Sequence, residues 1–145
     1  MFMRLRGLII RPFFKKCGKR LGVGRNVVFY NPSKISIGDD VYIAYGCWFA
    51  AGDCISVEDE VIFGPYNVVA SSNHTRMNGS FRFGEGAFGE IVFQRGVWMS
   101  SHCTTTAGST VKEGSLVAAN TVVRGIVEKD VLYAGDSLGY VRKNF

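Results

Sequence analysis

Proline is scarce in this chain, with three residues against eighteen glycines in 145. Many tight corners and few fixed kinks suit short strands joined by frequent turns. No apolar run approaches the roughly 20 residues that a membrane-spanning helix needs. The basic start has only a few uncharged residues in a row, too short for the apolar segment of a signal peptide. Acidic residues are missing altogether from residues 1–20, which carry Arg4, Arg6, Arg11, Lys15, Lys16, Lys19 and Arg20. The rest of the chain has ten Lys/Arg against twelve Asp/Glu, so the net charge of +5 belongs to an N-terminal arm. That argues against a nucleic-acid-binding face on the body. The four cysteines, Cys17, Cys47, Cys54 and Cys103, have no CxxC spacing and read as free thiols of a cytosolic protein.

What the chain does have is a period of six. Residues 91–126 divide into IVFQRG, VWMSSH, CTTTAG, STVKEG, SLVAAN and TVVRGI, with Phe93, Met99, Thr105, Val111, Val117 and Val123 in the third place. The same rhythm starts at Leu21, placing Val23 and Phe29, and resumes after two-residue slips at Ser33-Lys34 and Asp53-Cys54. Ile37, Ile43, Phe49, Val57, Phe63 and Val69 follow in the third place. From Ile35 onward the next residue is small or a short hydroxyl in eight of twelve blocks; the exceptions are Glu58, Gln94, Lys112 and Arg124. An inward aliphatic residue followed by a small one at a sharp corner is what a three-sided prism requires. Three blocks make one turn, so residues 18 apart stack on adjacent coils about 4.8 Å apart. The expected architecture is an all-β parallel β-helix of roughly five coils, each stable only against its neighbours.

The chain is long enough for one domain with a real core. Residues 1–20 form a basic amphipathic arm, 21–145 the β-helix, and 73–90, NHTRMNGSFRFGEGAFGE, an aperiodic excursion. In the arm, Leu5, Leu8, Ile9, Ile10, Phe13 and Phe14 alternate with cations, which predicts a short helix broken or restarted at Pro12. Its apolar side either packs on the body or a neighbouring subunit, or rests on an anionic membrane surface.

The repeat resembles that of the hexapeptide-repeat acyltransferases: Ile37-Gly38 to Val41, Ile43-Ala44 to Cys47 and Val117-Ala118 to Thr121 all fit it. The resemblance implies a left-handed β-helix. Within that superfamily the chain looks most like the small sugar O-acetyltransferases of the maltose and nodulation type and their polysaccharide-cluster relatives. VVASSNHTRMN resembles their His-containing loop, and IVFQRGVWMSS their restart with a hydrophobic-Trp pair. LYAGDSLGYVRK resembles their terminal segment, with Asp136-Ser137-Leu138 in place of Asn-Pro-Ala.

That resemblance implies acetyl transfer from acetyl-CoA to a sugar hydroxyl, with His74 in the catalytic position. Imidazole suits a base working near neutral pH. Asp53, Glu85 and Glu90 are candidates to orient it, and a backbone N–H near Ser100 to stabilise an oxyanion. A Ser or Cys nucleophile is the alternative to direct attack by the acceptor. Coenzyme A is expected along the C-terminal coils between two subunits, over the small corners Ser100 and Ala118. Arg124, Lys129 and Arg142 are its candidate phosphate partners, each otherwise a solvated charge. Acceptor contacts are sought at Trp48, Tyr45, Tyr66, Arg76 and Arg82. Trp98 is read as a packing residue at a subunit interface, and His102 as an exposed corner histidine. The γ-type carbonic anhydrases share the fold but bind zinc through three histidines, and two cannot supply three; no metal is expected. A homotrimer in the cytoplasm, at the inner face of the membrane if the arm reaches it, completes the expectation. The alternatives are an N-acetyltransferase for a nucleotide-linked amino sugar and a non-catalytic β-helix scaffold.

Overall fold

Side chains at the first and third places of each block point to the same side of the backbone, so a repeating turn gathers them around one axis. The computed structural model describes the backbone of residues 2–136 and 139–144 and the side chains of 2–135. It has three parallel sheets around one shaft. The first face consists of Lys16–Cys17, Ile35–Ile37, Ile55–Val57, Ile91–Phe93, Thr110–Val111 and Ile126–Val127. Gly22–Val23, Tyr42–Ile43, Ile62–Phe63, Trp98–Met99, Leu116–Val117 and Val131–Asp136 form the second, which Gly139–Asn144 extends as an antiparallel partner. The third consists of Val28–Tyr30, Trp48–Ala50, Val68–Ala70, Thr104–Thr106 and Val122–Val123.

Phe93 pairs with Val111 and Met99 with Val117, the expected spacing of 18. The slips at 33–34 and 53–54 lengthen the earlier turns, so that Ile37 pairs with Val57 and Ile43 with Phe63. The first face begins before the rhythm becomes visible at Leu21, because Cys17 already pairs with Ile37. At the other end Val111 meets Val127, a shortened turn, and the final strands fold back with Tyr133 opposite Arg142. Ser137 and Leu138, part of the terminal segment compared above, lie outside the described residues.

The third-place residues line the shaft, and all from Ile37 to Val123 are buried. Five phenylalanines run up its N-terminal half: Phe14, Phe29, Phe49, Phe63 and Phe93 have successive ring centroids 5.0, 5.3, 5.1 and 4.9 Å apart. Three of the four contacts are edge-to-face, the arrangement that ring quadrupoles favour. Buried hydroxyls near the corners are satisfied by the backbone; Ser71 Oγ donates to Asp53 O at 2.8 Å and Ser115 Oγ to Glu128 O at 2.6 Å.

The corners on either side of the second face each turn the chain on a left-handed residue. Asn26, Gly46, Tyr66, His102 and Asn120 hold φ between +56° and +72° on successive coils at the corner joining the second and third faces. Three of the four residues that break the small-residue rule, Glu58, Gln94 and Lys112, fall on the corner between the first and second faces. Their side chains are useful there. Glu58 accepts from the Arg95 N–H, Gln94 from the Glu113 N–H, and Lys112 pairs with Glu128.

The arm forms a helix, Phe2–Ile10, followed by a single 3₁₀ turn at Arg11–Phe13 that accommodates Pro12. It packs on the first coil through Gly7, where an added Cβ would lie 2.2 Å from Leu21 O. Arg6 Nε–H donates to Val23 O at 2.8 Å.

Candidate active site

At the third turn the chain leaves the third face at Ala70 and does not start the next coil until Ile91. It is extruded as an antiparallel hairpin in which Ser72, Asn73 and His74 face Phe88, Ala87 and Gly86. The solenoid is unbroken beneath it, since Ile91 still pairs with Ile55. Glycine lets the hairpin fold tightly. A Cβ at Gly84 would lie 1.8 Å from Thr75 O, and one at Gly52 would meet Ser72 at 2.6 Å. His74 is thus presented at a defined height on the prism, exposed, and its imidazole makes no hydrogen bond among the described residues. A base needs that freedom to take a proton from an incoming hydroxyl.

Of the carboxylates considered as its partner, Asp53 accepts from the Cys54 N–H and Glu90 from Ser56 Oγ. Glu85 is next to Gly86 on the opposing strand, and its backbone carbonyl accepts the Thr75 N–H at 3.1 Å. Arg76 and Arg82 share the hairpin with His74, and Arg82 lies over the Phe83 ring at 5.7 Å. The other acceptor candidates lie elsewhere. Trp48 faces outward from the third face beside Val68. Tyr45 and Tyr66 are on the corner at the far edge of that face, 5.4 Å apart, with His102 stacked on Tyr66 at 5.0 Å. Asn26 Nδ2 donates to Tyr45 Oη, so four coils contribute to this exposed ladder. His102 is exposed at its corner, as expected, but belongs to an aromatic stack that the sequence alone does not reveal.

The small corners form a continuous track. Gly24, Ala44, Gly64, Ser100 and Ala118 follow one another up the prism, and a Cβ at Gly64 would lie 2.8 Å from the Ser100 carbonyl carbon. The amides of Ser100 and Ala118 already donate to Val117 O and Tyr133 O, so the track offers close approach rather than free donors at those two groups. Asn67, not singled out in the sequence, ties the corner together by donating to Gly64 O at 2.8 Å and Ser100 O at 2.7 Å. The available signal was an amide in a first place where neighbouring coils have Cys47 and Cys103. Arg124 and Lys129 are exposed near the C-terminal coils, whereas the Arg142 side chain lies outside the described residues.

No protein-family model matches the chain. Among curated proteins, galactoside O-acetyltransferase of Escherichia coli is 23% identical over 135 residues. The match covers 93% of this chain but 66% of that protein's length. A maltose O-acetyltransferase from Clostridium difficile superposes with a TM-score of 0.87 at 20% identity, over 96% of this chain and 73% of its own. A hexapeptide-repeat acetyltransferase from Vibrio cholerae, solved with acetyl-CoA, gives 0.86 at 25% identity, over 95% and 74%. The chain is therefore a left-handed parallel β-helix of the hexapeptide-repeat kind, the architecture of the acetyltransferases it resembles in sequence and structure.

Proposed function

We propose that the chain transfers an acetyl group from acetyl-CoA to a sugar hydroxyl, in the assembly of a surface polysaccharide such as an O-antigen, capsule or exopolysaccharide. The observation that carries this is His74, an exposed imidazole with no hydrogen bond among the described residues, held where a complete solenoid extrudes a glycine-tightened hairpin. A scaffold would gain nothing from that interruption. In this reading His74 takes the hydroxyl proton as the acceptor oxygen bonds to the thioester carbonyl carbon. The carbon–sulfur bond then breaks, and the imidazolium returns the proton to the departing CoA sulfur. The Ser100–Ala118 track would carry the pantetheine arm, with Arg124, Lys129 and Arg142 toward the phosphates.

Tyr45 and Tyr66 are across the third face from the hairpin that holds His74, Arg76 and Arg82. A homotrimer supplies a way to bring such groups together between chains. The apolar outer residues Tyr42, Ile62 and Trp98 of the second face, and Val28, Trp48 and Val68 of the third, support such packing. Phe81, Phe83 and Phe88 on the hairpin do likewise, being surface that a monomer would leave wet. No helix among the described residues is long and apolar enough to cross a membrane. We place the protein in the cytoplasm, at the inner membrane face through its arm. Release of CoA thiol from acetyl-CoA, measured with galactosides, other hydroxyl-only sugars and nucleotide-linked amino sugars, tests the proposal. Turnover with hydroxyl-only sugars is expected. Turnover confined to amino sugars would favour N-acetylation, and neither turnover nor acetyl-CoA binding would leave a scaffold.

A further inference from the structure

The N-terminal helix is apolar on its outward side. At about 100° per residue, Leu8, Leu5, Ile9 and Phe2 fall within one arc of roughly 120°, and they are 63%, 52%, 64% and 68% exposed. Gly7, on the opposite side, is the buried contact with the first coil. These four residues therefore do not pack on the body, whereas Ile10, partly buried, packs against the core. Arg4 borders the exposed arc on one edge and Arg6 on the other, and Phe13, 61% exposed, continues it past the helix end.

Beside the helix a cavity of about 230 Å³ opens between the arm and the first coil. It is lined by Arg4, Arg11 and Arg20 together with Gly7, Leu8, Gly18 and Leu21. Arg20 is held by Asp40, while Arg4 and Arg11 make no ion pair among the described residues. Three arginines line this small cavity against two nearby carboxylates, Asp40 paired with Arg20 and Asp39 beside Gly18, which leaves Arg4 and Arg11 to suit a phosphate-sized anion. Planar guanidinium groups can bind such an oxyanion bidentately.

We propose that this arm docks on an anionic phospholipid surface, with Phe2, Leu5, Leu8 and Ile9 in the headgroup boundary and a lipid phosphate in the Arg4–Arg11–Arg20 cavity. The proposal rests on the inner-face placement given above and is independent of the transfer chemistry. Charge selects the occupant. Residues 1–20 hold seven cations and no acid, so two copies of the arm repel each other, whereas an anionic bilayer attracts them. A nine-residue helix cannot span, but one lying flat can sink its apolar side about 5–10 Å into the boundary.

The test uses the full chain and co-sedimentation with vesicles of phosphatidylcholine alone or with added phosphatidylserine. Binding is expected only to the anionic vesicles, weakening as salt rises. Each cation at such a surface strengthens binding about fivefold, so Arg4→Gln with Arg11→Gln should weaken it about 25-fold. Leu5→Ser with Ile9→Ser should weaken it at least about tenfold, with circular dichroism confirming an intact fold. Equal binding to neutral vesicles, or none to either, overturns the proposal. Release by millimolar inorganic phosphate would make the cavity a soluble-phosphate site instead. Self-association without vesicles, abolished by the Leu5/Ile9 change, would make the occupant a second copy. Acetyl transfer to a soluble galactoside by the same variants, at the unaltered protein's rate, separates failure here from failure of the enzymatic reading.

Discussion

Replacing Thr105 by valine should make the protein more stable, against the usual direction of core substitutions. Thr105 occupies a third place on the third face, 1% exposed, paired in register with Val69 on one side and Val123 on the other. Its hydroxyl has no hydrogen-bond partner among the described residues. An unpaired buried hydroxyl costs about 1–3 kcal/mol relative to hydration in the unfolded chain. Valine is β-branched and nearly the same shape, so it keeps the rotamer restriction and leaves no cavity. Removing the hydroxyl should therefore stabilise by about 1–2 kcal/mol, raising Tm by about 3–8 °C for a chain of this length. Differential scanning calorimetry on Thr105→Val, with Thr105→Ser as control, reads this out. The serine variant keeps the hydroxyl, loses the methyl, and should be destabilised by about 1 kcal/mol. A Tm for Thr105→Val at or below that of the unaltered protein would refute the reasoning, because it would require a bonded hydroxyl.

Phe63 is fully buried between Phe49 and Phe93, so Phe63→Ala should cost about 3–5 kcal/mol in urea unfolding; a loss under about 1 kcal/mol would show that the ladder does not carry the shaft. Gly7→Ala opposes two effects. Alanine favours the helix by about 1 kcal/mol, yet its Cβ would meet Leu21 O at 2.2 Å. The clash should win, with a lower Tm and faster proteolysis within residues 1–15. Burial raises the thiol pKa of Cys47 and Cys103, whose Sγ–H groups donate to Gly64 O and Ala118 O at 3.1 Å. Both should resist iodoacetamide at pH 8 in the native protein and react on denaturation, as peptide mapping by mass spectrometry would show.

The β-helix was legible because one physical demand recurs at every third place, and Ile37, Phe63 and Val117 meet it in the same way on different coils. The slips at 33–34 and 53–54 were legible for the same reason, as interruptions of a strict period. Cys17 was not, because a strand of two residues carries no period of its own. Glu58, Gln94 and Lys112 looked like breaks in the corner rule until the coils were stacked and their backbone and ionic partners appeared. The candidate site was only partly legible. His74 stands out where the rhythm fails. The separation of Tyr45 and Tyr66 from it depends on which corner each occupies, and residue type does not encode that. The helix side that packs on the body was hidden too, since its contacts are Gly7 and Ile10 while Phe2, Leu5, Leu8 and Ile9 face out.

The most direct test of the account is His74→Ala, assayed for CoA thiol release from acetyl-CoA with a working sugar acceptor. His74 is exposed on its hairpin, so folding and acetyl-CoA affinity should be unchanged while kcat falls about 10²–10⁴-fold. Turnover equal to that of the unaltered protein, with every acceptor that works, would contradict the assignment of the base.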